Sequence, residues 1–201
     1  MKVEREAFER FMNSLDRRIY GYIENLKLWN GTVNLVSRDT IDDVYNRHIL
    51  DCMQLAKYLN KDDNIIDVGS GAGLPGVILS IMGYEHVTLC EIDFKKCIFL
   101  YDIKDKLGLK YNVYNGDVYK YCMPREDRDR SVLVARAFAS LRTLLDVMIK
   151  LEVVRGIIHK GARYKDEIEL ANHEYQYTHI AHKSETNETG VILEIESVRR
   201  K

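Results

Sequence analysis

The sequence predicts an α/β fold: a mostly parallel seven-stranded sheet flanked by helices, with an antiparallel C-terminal strand and an N-terminal helical extension. Three observations carry this. From Asn64 onward, short apolar runs alternate with helical patterns, the rhythm of parallel strands joined by crossover helices. The first of those runs ends in a glycine-rich loop. The last two β-rich runs, Tyr175 to His182 and Val191 to Val198, are separated only by the polar turn KSETNETG, which leaves no room for a helix, so they pair antiparallel.

From Val3 to Trp29, Phe8, Phe11, Met12, Leu15, Ile19, Tyr22, Ile23 and Leu26 recur at three and four, marking one face of a long helix. Its other face carries Arg5, Arg10, Arg17 and Arg18 among acids. After a polar turn around Asn30 to Asn34, Thr40 with Asp43 three residues on reads as a helix start. Ile41, Val44, Tyr45, Cys52, Leu55, Ala56 and Leu59 continue a helical stripe. Residues 1–60 are thus expected to form a helical extension packed on a core of residues 61–201.

In that core, strands are expected near 64–68, 86–91, 110–114, 131–135 and 153–159. Helices are expected near 75–82, 94–107, 140–151 and 163–171, with Pro75 in a first helical turn and Gly83 and Gly108 at helix ends. A last strand running against the others distinguishes this pattern from a purely parallel dinucleotide-binding sheet.

At 201 residues, 46% hydrophobic and 30% charged, the chain suits one folded domain with a small appendage. No stretch nears the roughly 20 apolar residues that cross a membrane, and the start MKVEREAFERF lacks the apolar core of a secretion signal. A cytoplasmic protein without a membrane partner is expected. Cys52, Cys90, Cys97 and Cys122 have neither C-x-x-C spacing nor zinc-site clustering and read as reduced thiols. His173, His179 and His182 share no helix face or strand alternation, so no metal site is expected. The formal net charge of -1 exerts no general pull on polyanions, so a nucleic-acid site would have to be a local basic patch.

The run IIDVGSGAGLPG holds the sharpest chemistry: an apolar strand ending in Asp67, then Gly69, Gly71 and Gly73, then Pro75 opening a helix. Glycines let the backbone turn tightly and approach a ligand that a Cβ would hold off. Glu91, ending the next strand, lies where a carboxylate can accept from both hydroxyls of a ribose. GAGLPG also satisfies G-x-G-x-x-G, so a dinucleotide competes as ligand. Asp67 before the glycines suits an amine-bearing ligand better than a pyrophosphate. The bland alternatives are a tight strand-to-helix turn and an acid capping a strand end. After the third strand, Asp117 can accept from an exocyclic amine and Val118 can offer an amide and an apolar surface to a ring, or Asp117 can simply cap the next turn.

The chain resembles the bacterial 16S ribosomal RNA (guanine-N7) methyltransferase G family, also called glucose-inhibited division protein B (GidB). The resemblance lies in W-N-x-x-x-N-L (Trp29, Asn30, Asn34, Leu35), R-H-I-L-D (Arg47 to Asp51), D-V-G-S-G-A-G-L-P-G (Asp67 to Gly76), R-A-F-A-S (Arg136 to Ser140) and K-G (Lys160, Gly161). It implies a Rossmann-like class I S-adenosylmethionine-dependent methyltransferase. By that resemblance, S-adenosyl-L-methionine is held by Gly69, Leu74, Glu91, Asp117 and Val118, with Arg136 beside its methionine end; the glycine loop itself adds Gly71 and Gly73 to the expected cofactor contacts. The implied partner is 16S ribosomal RNA or the small ribosomal subunit, met by a monomer. Where similar sequences carry an Arg before the last strand, this one reads N-E-T-G-V-I-L.

Guanine N7 has an in-plane lone pair and no proton, so methyl transfer to it needs positioning and no general base. Arg136, His48 and Asp51 are the positioning candidates. His48 and Asp51, three apart on one helical stripe, can face the same way, and a packed framework histidine is an equal reading. Phosphate-contact candidates are Arg10, Arg17, Arg18, Lys95, Lys96, Arg142, Lys160, Arg163, Lys165, Arg199, Arg200 and Lys201. Three other functions stay open: a methyltransferase for another substrate, an NAD(P)-dependent oxidoreductase and a non-catalytic RNA-binding protein. Cofactor titration separates them.

Overall fold

A computed structural model describes residues 2–201, with side chains described at 13 and from 15 onward. Helix α1 spans Lys2–Asn30, and its Leu15, Ile19, Tyr22 and Leu26 are buried at the expected spacing. The expected contacts of Phe8, Phe11 and Met12, and the placement of Arg5 and Arg10, fall outside the described side chains. Tyr22 and Trp29 meet the Phe99 ring edge-on, at centroid distances of 6.3 and 5.9 Å. A Cβ at Gly21 would lie 2.9 Å from Leu107 Cδ2, so this glycine permits close approach between the helices. Past Asn30 the chain folds back, because the Asn30 side chain accepts from the amides of Leu35 and Val36.

The segment that follows departs from the single expected helix. Arg38–Thr40 is a 3-10 turn, Tyr45–Ile49 a π turn, α2 only Leu50–Met53, and Gln54–Tyr58 again 3-10. Thr40 caps nothing: its hydroxyl donates to Ser37 O and meets His48 Nε2. The apolar spacing fixed which residues are buried, including Val44, Ile49, Cys52, Leu55 and Leu59. It did not fix the winding, which the polar groups at 47–51 pull out of register as they engage the sheet.

The sheet is built from β1 (Asn64–Val68), β2 (Val87–Glu91), β3 (Asn112–Asn115), β4 (Ser131–Ala135), β5 (Arg155–Lys160), β6 (Tyr175–Lys183) and β7 (Val191–Arg200). Their order is β3-β2-β1-β4-β5-β7-β6. The first five strands pair parallel with one another, and β7 runs antiparallel to both β5 and β6, as the sequence predicts. Connecting helices are α3 (Gly76–Ile81), α4 (Phe94–Leu107), α5 (Leu141–Leu151) and α6 (Tyr164–Asn172). Pro75 sits at the N-cap of α3, one residue before the expected position. Gly83 and Gly108 end their helices at φ of +90° and +60°.

Alternation along the strands divides the core. Ile65, Val87, Leu89, Val132, Val134, Ile157 and Ile192 face α1, α3 and α4, whereas Ile66, Val68, Cys90, Leu133, Ala135, Ile158 and Leu193 face α5 and α6. Cys52, Cys90, Cys97 and Cys122 are all free thiols.

Candidate active site

Strand parity decides where the polar groups beyond the strand ends point. Continuing the alternation of β4 puts Arg136 on the face of Val132 and Val134, the side covered by residues 44–59. In β5 it sends His159 to that face and Lys160 to the other. The hydrogen bonds follow. Arg136 Nε donates to Asp51 Oδ2 at 2.8 Å, and Nη2 donates to Arg47 O at 3.0 Å and to His48 Nδ1 at 2.7 Å. Asp51 Oδ1 accepts from Thr186 Oγ1 at 2.7 Å and Gln54 Nε2 at 2.9 Å, and lies 3.7 Å from His159 Nδ1.

Electrostatics fix the charges. Burial, then the Arg136 charge, pushes the pKa of His48 down to about 4, and burial pushes that of His159 down to about 4. Burial alone would raise that of Asp51, but His159, Thr186 and Arg136 together pull it below the ordinary value. The cluster is therefore one carboxylate, one guanidinium and two neutral imidazoles.

A cleft of about 430 Å³ lies over this cluster, lined by Arg47, His48, Asp51, Arg136, the loop residues Gly69, Ser70, Gly71, Ala72 and Leu74, and by Lys96, Thr186 and Asn187. Gly69 and Gly71 have φ of +67° and +54°, a backbone that side chains rarely adopt. Gly71 N donates to Glu91 Oε2 and Asp93 N to Glu91 Oε1, both at 2.8 Å. Each oxygen of this carboxylate thus keeps acceptor capacity for a further donor. Ser70 Oγ is buried without a hydrogen-bond partner among the described residues.

The structure brings Arg136, His48, Asp51, Gly69, Gly71 and Leu74 to one cleft and joins Glu91 to it through Gly71. Gly73 is set apart: it has φ +80° and its Cβ would lie 2.2 Å from Val77 Cγ2, so it serves the turn into α3. Asp117 caps the turn after β3, accepting from Tyr119 N at 3.0 Å, and Val118 is buried beside it. Asp67 corrects the sequence expectation of an amine contact. Parity turns its carboxylate under the loop, where Oδ2 accepts from Gly76 N at 2.8 Å, and burial raises its pKa to about 7. Among the phosphate candidates, Lys160 is buried and paired with Glu167, while Arg142 and Arg200 are tied to Glu174 and Asp146. Sequence reasoning missed Ser70, Asn187, His159 and Glu167. Only Ser70, inside the glycine loop, carried a signal.

A second cavity, of about 740 Å³, adjoins the cleft and shares Asp51, Arg136, Ala137 and Asn187 with it. Ala137, in this shared wall, holds φ +53°, a strained conformation for a residue with a Cβ. One ligand at the glycine loop and a second in this cavity would therefore meet across Arg136.

Comparison with known proteins places this geometry. The family model described as GidB, rRNA small subunit methyltransferase G, matches residues 16–192. A protein of Rickettsia rickettsii named ribosomal RNA small subunit methyltransferase G is 37% identical over 177 residues, covering 87% of this chain and 90% of the relative. One of Rickettsia akari with the same name is 35% identical over 202 residues, covering 100% and 99%. Among solved structures, a SAM-dependent methyltransferase from Aquifex aeolicus matches with a TM-score of 0.58 at 14% identity, covering 77% of this chain and 93% of that one. M. capricolum TrmK, in complex with S-adenosyl-homocysteine, matches with a TM-score of 0.54 at 18% identity, covering 72% and 66%. These two share the fold.

Proposed function

The chain belongs to the rRNA small subunit methyltransferase G (GidB) family, and from that premise we propose that it methylates N7 of a guanine in 16S ribosomal RNA, using S-adenosylmethionine. The observation that carries the reading is the paired arrangement of a glycine-loop cleft and an adjoining cavity that share Arg136 and Asp51. A dinucleotide oxidoreductase loses its footing here, because β7 runs antiparallel within the sheet.

The residues fit the cofactor. Glu91 keeps an acceptor site on each oxygen for the ribose hydroxyls, and Gly71, whose Cβ would meet nothing nearer than Gly69 O at 3.8 Å, leaves open space above the loop. Arg136 Nη1 makes no hydrogen bond to the described residues, so it can meet the carboxylate of the methionine end, and Ser70 lines the same cleft. Leu74 lines the same cleft, while Asp117 and Val118 close the third strand end near the adenine side. Gly73 shapes the loop without touching the ligand.

When bound, S-adenosylmethionine supplies an electrophilic methyl group on a sulfonium. The protein orients. Asp51, His48 and Arg47 O hold the Arg136 guanidinium in one plane, so the wall between cleft and cavity is rigid before any ligand arrives. No group in the cleft is required to take a proton from N7. Phe138, Leu144, Ile158 and Leu170 give the adjoining cavity apolar sides for a base.

The same reading takes residues 1–60 as an extension on a core of 61–201, and the protein as a cytoplasmic monomer acting on the small subunit. No helix among the described residues is long and apolar enough to cross a membrane. The test is methylation of purified small subunits alongside naked 16S RNA, with the modified base mapped. One N7-methylguanine is expected; methyl on another atom or another RNA overturns the reading.

A further inference from the structure

One wall of the larger cavity is made by β5 and α6, and an ion pair between a buried lysine and a half-buried glutamate stiffens it. Lys160, 9% exposed, donates from Nζ to Ala139 O at 2.8 Å and to Glu167 Oε2 at 2.7 Å. The same Oε2 accepts from Leu141 N at 2.6 Å, at the first turn of α5. A buried ammonium and a helix N-terminal amide thus fix one oxygen of Glu167. No donor among the described residues engages the other, Oε1, and Glu167 lines the cavity. Asp166 lines it too, but it is exposed and no described residue holds its carboxylate in place.

A fixed carboxylate in a cavity meant for RNA repels phosphate and selects hydrogen-bond donors. Among the purines the distinction is sharp. The edge of guanine remote from N7 carries N1–H and the 2-amino group, both donors, where adenine offers an acceptor nitrogen and a C–H. We propose that Glu167 is the base-selecting residue: its Oε1 accepts from N1–H or the 2-amino group of the target guanine, which lies between the apolar side chains with N7 turned toward Arg136 and the cleft. Lys160 is the positioning residue that keeps this acceptor in place. The proposal rests on the guanine-N7 reading and adds the residue that enforces it.

Replacing Glu167 by Gln makes a sharp probe. Leu141 N and Lys160 both donate, so the Gln carbonyl oxygen must turn to them, and its –NH₂ then faces the cavity where an acceptor had been. Small subunits would be reconstituted from unmodified 16S transcripts carrying G or A at the mapped position. Binding of the protein loaded with S-adenosylhomocysteine, and methylation under single-turnover conditions, would be measured on both. The parent should prefer G by at least about tenfold, and Glu167→Gln should lose that preference, with kcat/KM on the G subunit falling about 10- to 100-fold. Affinity for S-adenosylhomocysteine should not move; the melting temperature should fall, because the buried Lys160 ammonium loses its charged partner, so both substrates are compared at a temperature where each variant is folded. Glu167→Asp, which keeps the charge but withdraws the acceptor by one methylene, should lose the preference as well. A G-over-A ratio unchanged in both variants overturns the proposal, as does activity lost only in step with cofactor affinity or folding. A parent that fails to methylate N7 of the G subunit overturns the guanine-N7 reading itself, and this contact with it.

Discussion

Arg136 donates from Nη2 to Nδ1 of His48 at 2.7 Å, joining the end of β4 to the π turn before α2. A guanidinium only donates, so His48 carries its proton on Nε2 and donates from there to Thr40 Oγ1 at 2.9 Å. The histidine is locked as one neutral tautomer. Together with the bonds to Asp51 and Arg47 O, the Arg136 bond to His48 makes the R-H-I-L-D and R-A-F-A-S segments, far apart in sequence, two halves of one structural unit.

The lock has a pH signature. The folded pKa of His48, about 4, lies below its ordinary value of 6.5, so the unfolded chain takes up the proton first as pH falls. Stability present above about 6.5 is therefore lost as pH drops toward about 4, and His159, also depressed to about 4, adds to the loss. His48→Asn keeps an acceptor for Arg136 but removes the titration. Melting curves across this range should show a shallower pH dependence for the variant than for the parent. Nitrogen-15 shifts showing an imidazolium at His48 near neutral pH would contradict the assignment.

Gly71 and Gly73 should fail in different ways although the motif treats them alike. Gly73→Val drives a branched side chain into Val77 at φ +80°, so loss of folding stability by several kcal/mol is expected, with cofactor affinity lost as a consequence. Gly71→Val faces open space at φ +54°, so its cost is backbone strain of about 1–3 kcal/mol plus a blocked cleft. Calorimetric titration of the folded Gly71 variant should show no binding of S-adenosylhomocysteine. Parent-like affinity there would remove the ligand from this loop.

The contrast between those glycines shows what the sequence carries. The strands and the antiparallel β7 were legible because apolar alternation and a turn too short for a helix leave one solution, although β3 and β5 each begin two residues later than expected. The winding of residues 38–58 was not, since burial spacing is nearly the same for helices of different pitch, while hydrogen bonds to Arg136 and Thr186 choose among them. Asp67 and Lys160 read as ligand-facing charges, yet parity sends both inward. Glu167 was invisible because its meaning lies in Leu141 N and Lys160, contacts that no local pattern announces.

Glu91 tests the cofactor's ribose. Its two oxygens already hold Gly71 N and Asp93 N, so Glu91→Gln loses charge and forces its –NH₂ against one of those donors. Affinity for S-adenosylmethionine should fall by about 1 to 3 kcal/mol, the range for a hydrogen bond to a charged group. S-adenosylhomocysteine carries the same ribose and should lose a matching amount in calorimetry. A loss confined to one of the two ligands would point away from the ribose.

The chemical step itself should be nearly independent of pH between about 6 and 9, because N7 presents its lone pair without a prior deprotonation. The groups around the cleft agree with this: His48 and His159 are held neutral down to about 4, and Asp51 is held ionised below the ordinary carboxylate range. Asp67, beneath the loop, does titrate inside the window. Burial raises Asp67 from 3.8 to about 7, so the stability associated with its neutral form is fully present below about 3.8 and is lost as pH rises through about 7. Its carboxylate braces the loop through Gly76 N and does not line the cleft, so its ionisation should appear in folding and leave the rate of methyl transfer unchanged. Asp67→Asn, whose amide oxygen can still accept from Gly76 N, should gain stability relative to the parent above about pH 7 and leave the single-turnover profile flat. Cofactor and RNA must be saturating, since titration in binding imitates titration in chemistry. A rate that climbs about tenfold per pH unit to a plateau, and does so equally in Asp67→Asn, would mean that the acceptor loses a proton, as an exocyclic amine or a hydroxyl does. That outcome would replace N7 as the methylated atom while leaving the cofactor cleft and the sheet that builds it as they stand.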